Sequence, residues 1–307
     1  MINNELAIQN SRLRQDRCTE KIMRLLVFFS LLITVIIAFA LYLRSRPILA
    51  TRPLHELLFS LAWHPSRGEF GFLGFIAGTL WVTAVAVAIA FPICLLTAIY
   101  LAEYAGKRIR EWVNPFLDIL AGIPSVVYGM WGVLVIVPFI KEQLAPLCGV
   151  SSSGYSVLAG GMVLAVMIFP VIIHISVEVL KGVPQELREA SLALGATKWQ
   201  TVKKVVIRRA MPGIVAANVL GLSRAFGETM AVLMVVGNVA RLPKSIFDPA
   251  YPLPALIANN YGEMLSVPFY DSALLFGSLI LLLMVFSFNI VSQMILRGSK
   301  WSVYYNE

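Results

Sequence analysis

The sequence predicts an all-α integral membrane protein, a bundle of six transmembrane helices with both termini on the cytoplasmic side. Three observations carry that expectation. The 307 residues are 58% hydrophobic and 14% charged, whereas soluble domains run near a quarter charged. Apolar runs of about 20 residues follow one another, each long enough to cross a hydrocarbon core of about 30 Å. The alternating pattern of a membrane β-barrel is absent.

The six spans fall at roughly 22–43, 73–101, 115–138, 156–180, 213–239 and 271–296. The first is too long for a signal-peptide core and is followed by no small-residue cleavage pattern, so it reads as a retained helix ending at "LRSRP". The second, fourth and sixth are uninterrupted apolar runs. The third carries "IPSVVYG", where Pro124 and its flanking glycines are expected to bend the span and free backbone groups. The fifth follows Pro212-Gly213, a pair expected to break the preceding helix. Without an internal repeat or a low-complexity linker, residues 1–307 read as one transmembrane domain.

Charge then orients the spans. The net charge of +8 would suggest nucleic acid in a soluble protein, but here its distribution matters more. Of the 25 Lys and Arg, 17 lie on one side: Arg12, Arg14, Arg17, Lys21 and Arg24 in the N-terminal tail, three in 102–114, seven in 181–212 and two in the C-terminal tail. The positive-inside rule places those segments in the cytoplasm, against membrane lipid. Cys18, Cys94 and Cys148 fall in three separate regions, and His55, His64 and His174 are equally scattered, so neither a disulfide framework nor a metal site is implied. No GxxxxGK[ST] string occurs, so the chain is expected to have no P-loop for ATP and no cofactor of its own. Neither a nucleophile–base nor a metal constellation suggests an enzyme.

The inner loop 181–212 has its own helical punctuation. Pro184 suits a first helical position and Gly195 the residue past a helix end. Thr197 with Gln200 resembles a capping box opening a second helix. On that helix Trp199, Val202, Val206 and Ala210 share a face, while Lys203, Lys204 and Arg208 lie largely off it. An interfacial helix on anionic lipid and a docking knob for a cytoplasmic partner both fit this pattern.

The fifth span holds the chain's most expensive residues. Arg224 and Glu228 fall near its centre, where each charge costs roughly 2.5–3.5 kcal/mol on insertion scales. At i, i+4 on a helix they share a face and can pair. Such a pair either fixes helix packing or lines a pathway, the second being the usual meaning of intramembrane ionisable groups. Thr229 adjoins them but points about 100° away on a helix. Asp118, early in the third span, faces either the same cavity or the interface. Ser125 and Tyr128 after Pro124 suit either a hydroxyl-lined gate or ordinary helix–helix hydrogen bonding. His174 reads as an interhelical contact, and Gly221 and Gly227 as points of close helix approach.

Glu189-Ala190-Ser191, then Gly195, then a hydrophobic residue five before Pro212, resemble the EAA loop of ABC-importer permeases, with Ser191 where the family usually has alanine. "LDILAGIPSVVYGMWG" (117–132) and "LGLSRAFGETMAVLMVVGN" (220–238) resemble the PstC permeases of bacterial phosphate importers, and "IYLAEYAGK" (99–107) fits either PstC or its paired permease PstA. The likeness covers roughly 73–296. It implies the type I (MetI-like) ABC-importer fold, and a complex with a PstA-like permease, two ATPase subunits that bind ATP–Mg, and an external phosphate-binding protein. It also implies that Glu189, Ala190, Ser191, Gly195 and Pro212 belong to the ATPase-coupling loop, and that Arg224 compensates the anion. A PstA-type subunit, a permease for sulfate, molybdate or phosphonate, and a secondary transporter or channel using Arg224 and Glu228 remain open alternatives.

Overall fold

The protein is described from a computed structural model covering residues 2–263 and 267–304, with side chains for 19–263 and 267–294. The side chains of Arg12, Arg14, Arg17 and Cys18, and of the two C-terminal cations, lie outside the described residues. Among the described residues, six helices are long and apolar enough to cross a membrane.

Helix α1 (Ile2–Thr51) continues through Arg44–Pro47, where the sequence predicts its end. Its continuation has a packing reason: Ile48 is buried in a cluster with Leu57, Phe70, Phe72, Phe75 and Tyr270. The apolar stretch before it is left bare by the rest of the chain. A short helix α2 (Leu54–Phe59) and an unforeseen antiparallel hairpin follow, β1 (Trp63–His64) against β2 (Glu69–Phe70). The Trp63 ring meets Phe70, Phe72 and Phe75 edge-on, at centroid distances of 5.6, 5.4 and 4.8 Å. This aromatic knot closes one end of the bundle.

Helices α3 (Leu73–Tyr104) and α6 (Val157–Lys181) form the heart of the molecule. Val82, Ala86, Ala90 and Cys94, at every fourth position of α3, are buried against Leu164, Ala165, Ile168 and Ile172 of α6. Small residues let these backbones approach, as membrane helices without a hydrophobic driving force require. At Gly161 a Cβ would stand 2.4 Å from Val85 Cγ1.

The third span departs from its predicted 115–138. The chain forms an amphipathic helix α4 (Lys107–Gly122), breaks at Ile123-Pro124, and crosses as α5 (Ser125–Leu147). Ile123 and Pro124 both take extended angles, ψ 129 and ψ 144. A proline disfavours helical geometry in the residue before it, so the expected bend is a full interruption.

The fifth span departs at both ends. After α7 (Gln185–Ala193), helix α8 runs unbroken over Lys198–Gly227, so Pro212-Gly213 is not a break. Val202, Val206, Ala210, Ile214 and Ala217 make one buried stripe that passes straight through Pro212. Packing along that stripe holds the helix, and membrane neighbours offset the missing proline donor. The expected surface helix is therefore the first turns of a crossing helix. Far from reaching 239, α8 stops at Gly227; Glu228 is extended (φ −74, ψ 124) and a short α9 (Met230–Val235) follows. Helices α10 (Leu253–Asn260) and α11 (Tyr270–Tyr304) complete the fold.

Gly161→Val should lower the melting temperature of the detergent-solubilised protein, by the equivalent of about 1–3 kcal/mol of overpacking. Gly122→Ala should leave it unchanged, because nothing lies within 4 Å of a Cβ there. Equal melting of the two variants would contradict the close α3–α6 contact.

Candidate functional site

The two helix breaks lie side by side. A Cβ on Gly129 of α5 would stand 2.6 Å from Met234 Sδ and 3.1 Å from Ala231 Cα of α9, and one on Gly132 2.8 Å from Val235. Tyr128, Ile136, Ala231 and Val235 share one core cluster. The first turns of α5 and α9, each just past a break, are thus packed against one another.

Each break releases backbone groups that local side chains take up. At the first, the Tyr128 hydroxyl donates to the Leu120 carbonyl at 2.7 Å, serving an acceptor at the end of α4. At the second, the Thr229 hydroxyl donates to the Gly227 carbonyl at 3.3 Å, and Glu228 Oε1 accepts from the Ala231 amide at 3.4 Å. Among the described residues the Ser125 side chain forms no such bond.

Arg224 sits in the last turn of α8, exposed in the isolated chain and within electrostatic reach of the Tyr128 phenol. It lies three residues before the end of the candidate span Lys198–Gly227. The expected pairing with Glu228 on one helix face does not hold. The helix ends between them, Glu228 turns to the start of α9, and among the described residues Arg224 has no ion pair or hydrogen bond. A guanidinium without a partner among the described residues presents its donors to whatever occupies the space beside the breaks.

The other predicted residues divide. Asp118 belongs to α4, not to a crossing span, and its Oδ1 stands 3.2 Å from His174 Nε2 of α6, which makes His174 the interhelical contact expected of it. Gly221 does mark a close approach, with a Cβ there 2.6 Å from Ile172 Cγ1, whereas Gly227 has nothing within 4 Å and stands at the break.

A second site lies at the other end of α8. The Thr197–Gln200 capping box is formed, and Gly195 takes φ +81 in the turn between α7 and α8. Pro184 caps α7 instead of opening it. Glu189 and Ala190 face outward, as do Leu187, Leu192, Leu194 and Trp199, while the Ser191 and Thr201 hydroxyls meet at 2.9 Å. Pro212 lies a full helical stretch away, inside α8. Residues the sequence reading passed over complete this end: Arg188 reaches Glu103 of α3 at 2.8 Å, and Lys198 Nζ lies 4.5 Å over the Tyr104 ring. The cluster borders a cavity of about 520 Å³ lined by Lys181, Gln185 and Thr201 among others. Its sequence signal was a charge at position 188 directly beside the loop motif, with an acid in "AEY" to receive it.

Among the described residues, six long apolar helices and two interrupted stretches packed together, beside an arginine with no ion pair or hydrogen bond, define a multi-pass membrane protein. The family model for the binding-protein-dependent transport system inner membrane component matches residues 94–300, and the chain belongs to that family. It is 43% identical over 235 residues to the probable ABC transporter permease protein YqgH of Bacillus subtilis, covering 76% of this chain and 74% of that one. It is 35% identical over 297 residues to the phosphate transport system permease protein PstC of Xylella fastidiosa, covering 89% and 91%. Among solved structures, the inward-facing MetNI methionine ABC transporter matches with a TM-score of 0.56 at 24% identity, over 72% of this chain and 93% of that one. A bacterial transporter importing alginate matches with a TM-score of 0.54 at 16% identity, over 91% and 99%. These last two share the fold of type I ABC importers. The chain is accordingly an inner-membrane, multi-pass ABC-transporter permease.

Tyr128→Phe removes the bond that serves the Leu120 carbonyl and should lower stability by about 1–3 kcal/mol, the penalty for a buried group left unpaired. Thermal unfolding of the purified protein reads it directly. An unchanged melting temperature would mean that the α4–α5 joint does not depend on this contact.

Proposed function

We propose that this chain is the PstC-type permease subunit of an ATP-driven phosphate importer and forms half of the translocation path. The relatives named as phosphate transport permeases supply the substrate class. The observation in the molecule that carries the reading is Arg224, without an ion pair or hydrogen bond among the described residues, in the last turn of α8 beside two adjoining helix breaks. Phosphate at neutral pH bears one to two negative charges, and the guanidinium fork matches its oxygens.

In this reading Arg224 compensates the anion as it passes. Glu228, turned away from Arg224 by the helix end, accepts a hydrogen bond from a protonated phosphate oxygen; sulfate has no such proton. Ser125 and Thr229 offer hydroxyls at the two breaks, Tyr128 holds the first break in shape, and Asp118 flanks the path through its contact with His174. A PstA-like second permease forms the other half. Two ATPase subunits bind ATP–Mg and hydrolyse it, docking on Glu189, Ala190, Ser191 and the Gly195 turn on the cytoplasmic face. Both termini share that face with the loop, the whole of 1–307 serves as one permease domain, and a phosphate-binding protein delivers substrate from outside. ATP binding shifts the complex between inward- and outward-open states by preferring one of them.

The test is ATP-dependent uptake of labelled phosphate into proteoliposomes holding the assembled complex, with the binding protein outside. Arg224→Gln should cut uptake by about two orders of magnitude, in line with the 2–5 kcal/mol lost on truncating a buried charge contact, while the subunits still co-purify. Disassembly of the complex would assign Arg224 to helix packing instead. Glu228→Gln should retain phosphate uptake but let excess sulfate compete; an unaltered preference would remove Glu228 from discrimination. Uptake without ATP would overturn the ABC mechanism for this chain.

A further inference from the structure

Helix α7 presents an unusual mechanical problem. It carries the outward-facing residues of the loop, yet none of its nine residues is buried. A helix that must transmit force ordinarily roots itself through apolar packing, and α8 does so, with Val202, Val206 and Ala210 set among Ala98, Ile99, Leu180 and Val183. Helix α7 has no such root. Among the described residues its polar side-chain ties to α3 and α6 all come from Arg188, while Ser191 meets Thr201 of α8 at 2.9 Å.

Arg188 leaves α7 and spreads its donors over two other helices. Its Nη2 donates to Glu103 Oε1 and to the Leu180 carbonyl, both at 2.8 Å, and its Nε to the same Glu103 oxygen at 3.3 Å. Its Nη1 donates to the Val183 carbonyl and reaches the Pro184 carbonyl at 3.5 Å. Glu103 closes the end of α3; Leu180 lies in the last turn of α6, and Val183 and Pro184 in the link that leads to α7. The two charged side chains are only 14% and 9% exposed, so water screens this contact little. A guanidinium is suited to the task because its planar fork can hold several acceptors in fixed directions, which an ammonium cannot.

We infer that Arg188 and Glu103 form the clamp through which displacement of α7 is passed to α3 and α6, and that breaking it lets ATP hydrolysis proceed without transport. Helices α3 and α6 are the most closely packed pair in the fold, so a pull on their ends moves the body of the permease, not one helix alone. With the clamp broken, α7 keeps its chain link to α6, the turn at Gly195 and the Ser191–Thr201 contact to α8, but loses its side-chain hold on the ends of α3 and α6. Arg188 and Glu103 are positioning residues: neither touches the transported anion. The inference rests on the proposed function for the existence of an ATPase partner, but not on which anion is carried.

The experiment uses the assembled complex in proteoliposomes and reads three quantities: co-purification of the ATPase subunits, ATP hydrolysis, and uptake per ATP hydrolysed. Arg188→Ala and Glu103→Ala should keep the first two and lower the third by about tenfold or more, as expected when one member of a shielded ion pair is removed. Arg188→Lys, which keeps the charge but not the fork, should fall between. In a background with Cys18, Cys94 and Cys148 replaced, the pair Arg188→Cys and Glu103→Cys should lose uptake. It should regain uptake when bridged by a short bis-methanethiosulfonate, and lose it again on reduction. That rescue would not follow from a role in folding alone. Wild-type uptake per ATP in both alanine variants would overturn the clamp, as would loss of the ATPase subunits or bridging without rescue. Unmutated complex that hydrolyses ATP but carries no phosphate would refute the substrate reading instead, and uptake per ATP of the variants would then be read with labelled sulfate, molybdate or phosphonate, whichever the unmutated complex carries.

Discussion

A backbone carbonyl or amide released from a helix inside lipid has no water to bond, and each such group costs several kcal/mol if left alone. The chain interrupts its helices at the edges of two apolar spans, at Ile123-Pro124 where α5 begins and at Glu228-Thr229 where α8 ends. Much of the remaining structure follows from making those interruptions tolerable. Tyr128 returns to the Leu120 carbonyl, Thr229 to Gly227, and Glu228 to Ala231. Glycines at 129 and 132 bring α5 against α9, so the two breaks shelter each other. Non-helical backbone next to apolar spans is tolerated where it is buried in protein or lines a cavity, and here it adjoins an arginine free of any partner among the described residues.

The distant parts of the fold support that centre. The α3–α6 pair, close-packed through small side chains, is the rigid frame on which both breaks are mounted. Helix α8 links the two ends of the molecule physically: its first turns are rooted beside α7, and its last turn carries Arg224. Because Pro212 does not interrupt it, a displacement at Val202 is carried along one rod toward the arginine. The sequence reading of two separate helices would have required a hinge there.

Much of this was legible in the sequence, and the exceptions have physical causes. Apolar runs announce themselves by length and composition, so six spans and their approximate places could be read directly. The capping box at Thr197 and Gln200 is a local hydrogen-bond pattern and formed as expected. Proline was the ambiguous signal. Pro124 ends a helix because Ile123 before it is driven into extended geometry, while Pro212 sits inside a continuous buried stripe whose packing outweighs one lost hydrogen bond. Local propensity cannot rank those two cases; tertiary contacts do. The end of α8 at Gly227 was hidden for a related reason, since the apolar run continues to Val239 although the helix does not. That break changed the meaning of Arg224 and Glu228 from a self-neutralised pair to two groups with no ion pair between them, Glu228 bonding the start of α9 instead. The Arg188–Glu103 contact was hidden by distance in sequence, an arginine in one loop meeting an acid at the end of another helix.

The central claim is that the space beside the paired breaks is the route across the membrane. Substituted-cysteine accessibility at Arg224→Cys tests it most directly, in the assembled complex and with Cys18, Cys94 and Cys148 first replaced. A membrane-impermeant thiol reagent should reach position 224 from one side of the membrane without nucleotide, and from the opposite side when ATP and vanadate hold the ATPase subunits closed. Labelling that never occurs, while a lipid-soluble maleimide reacts in both states, would place Arg224 against lipid or a packed interface and contradict the account.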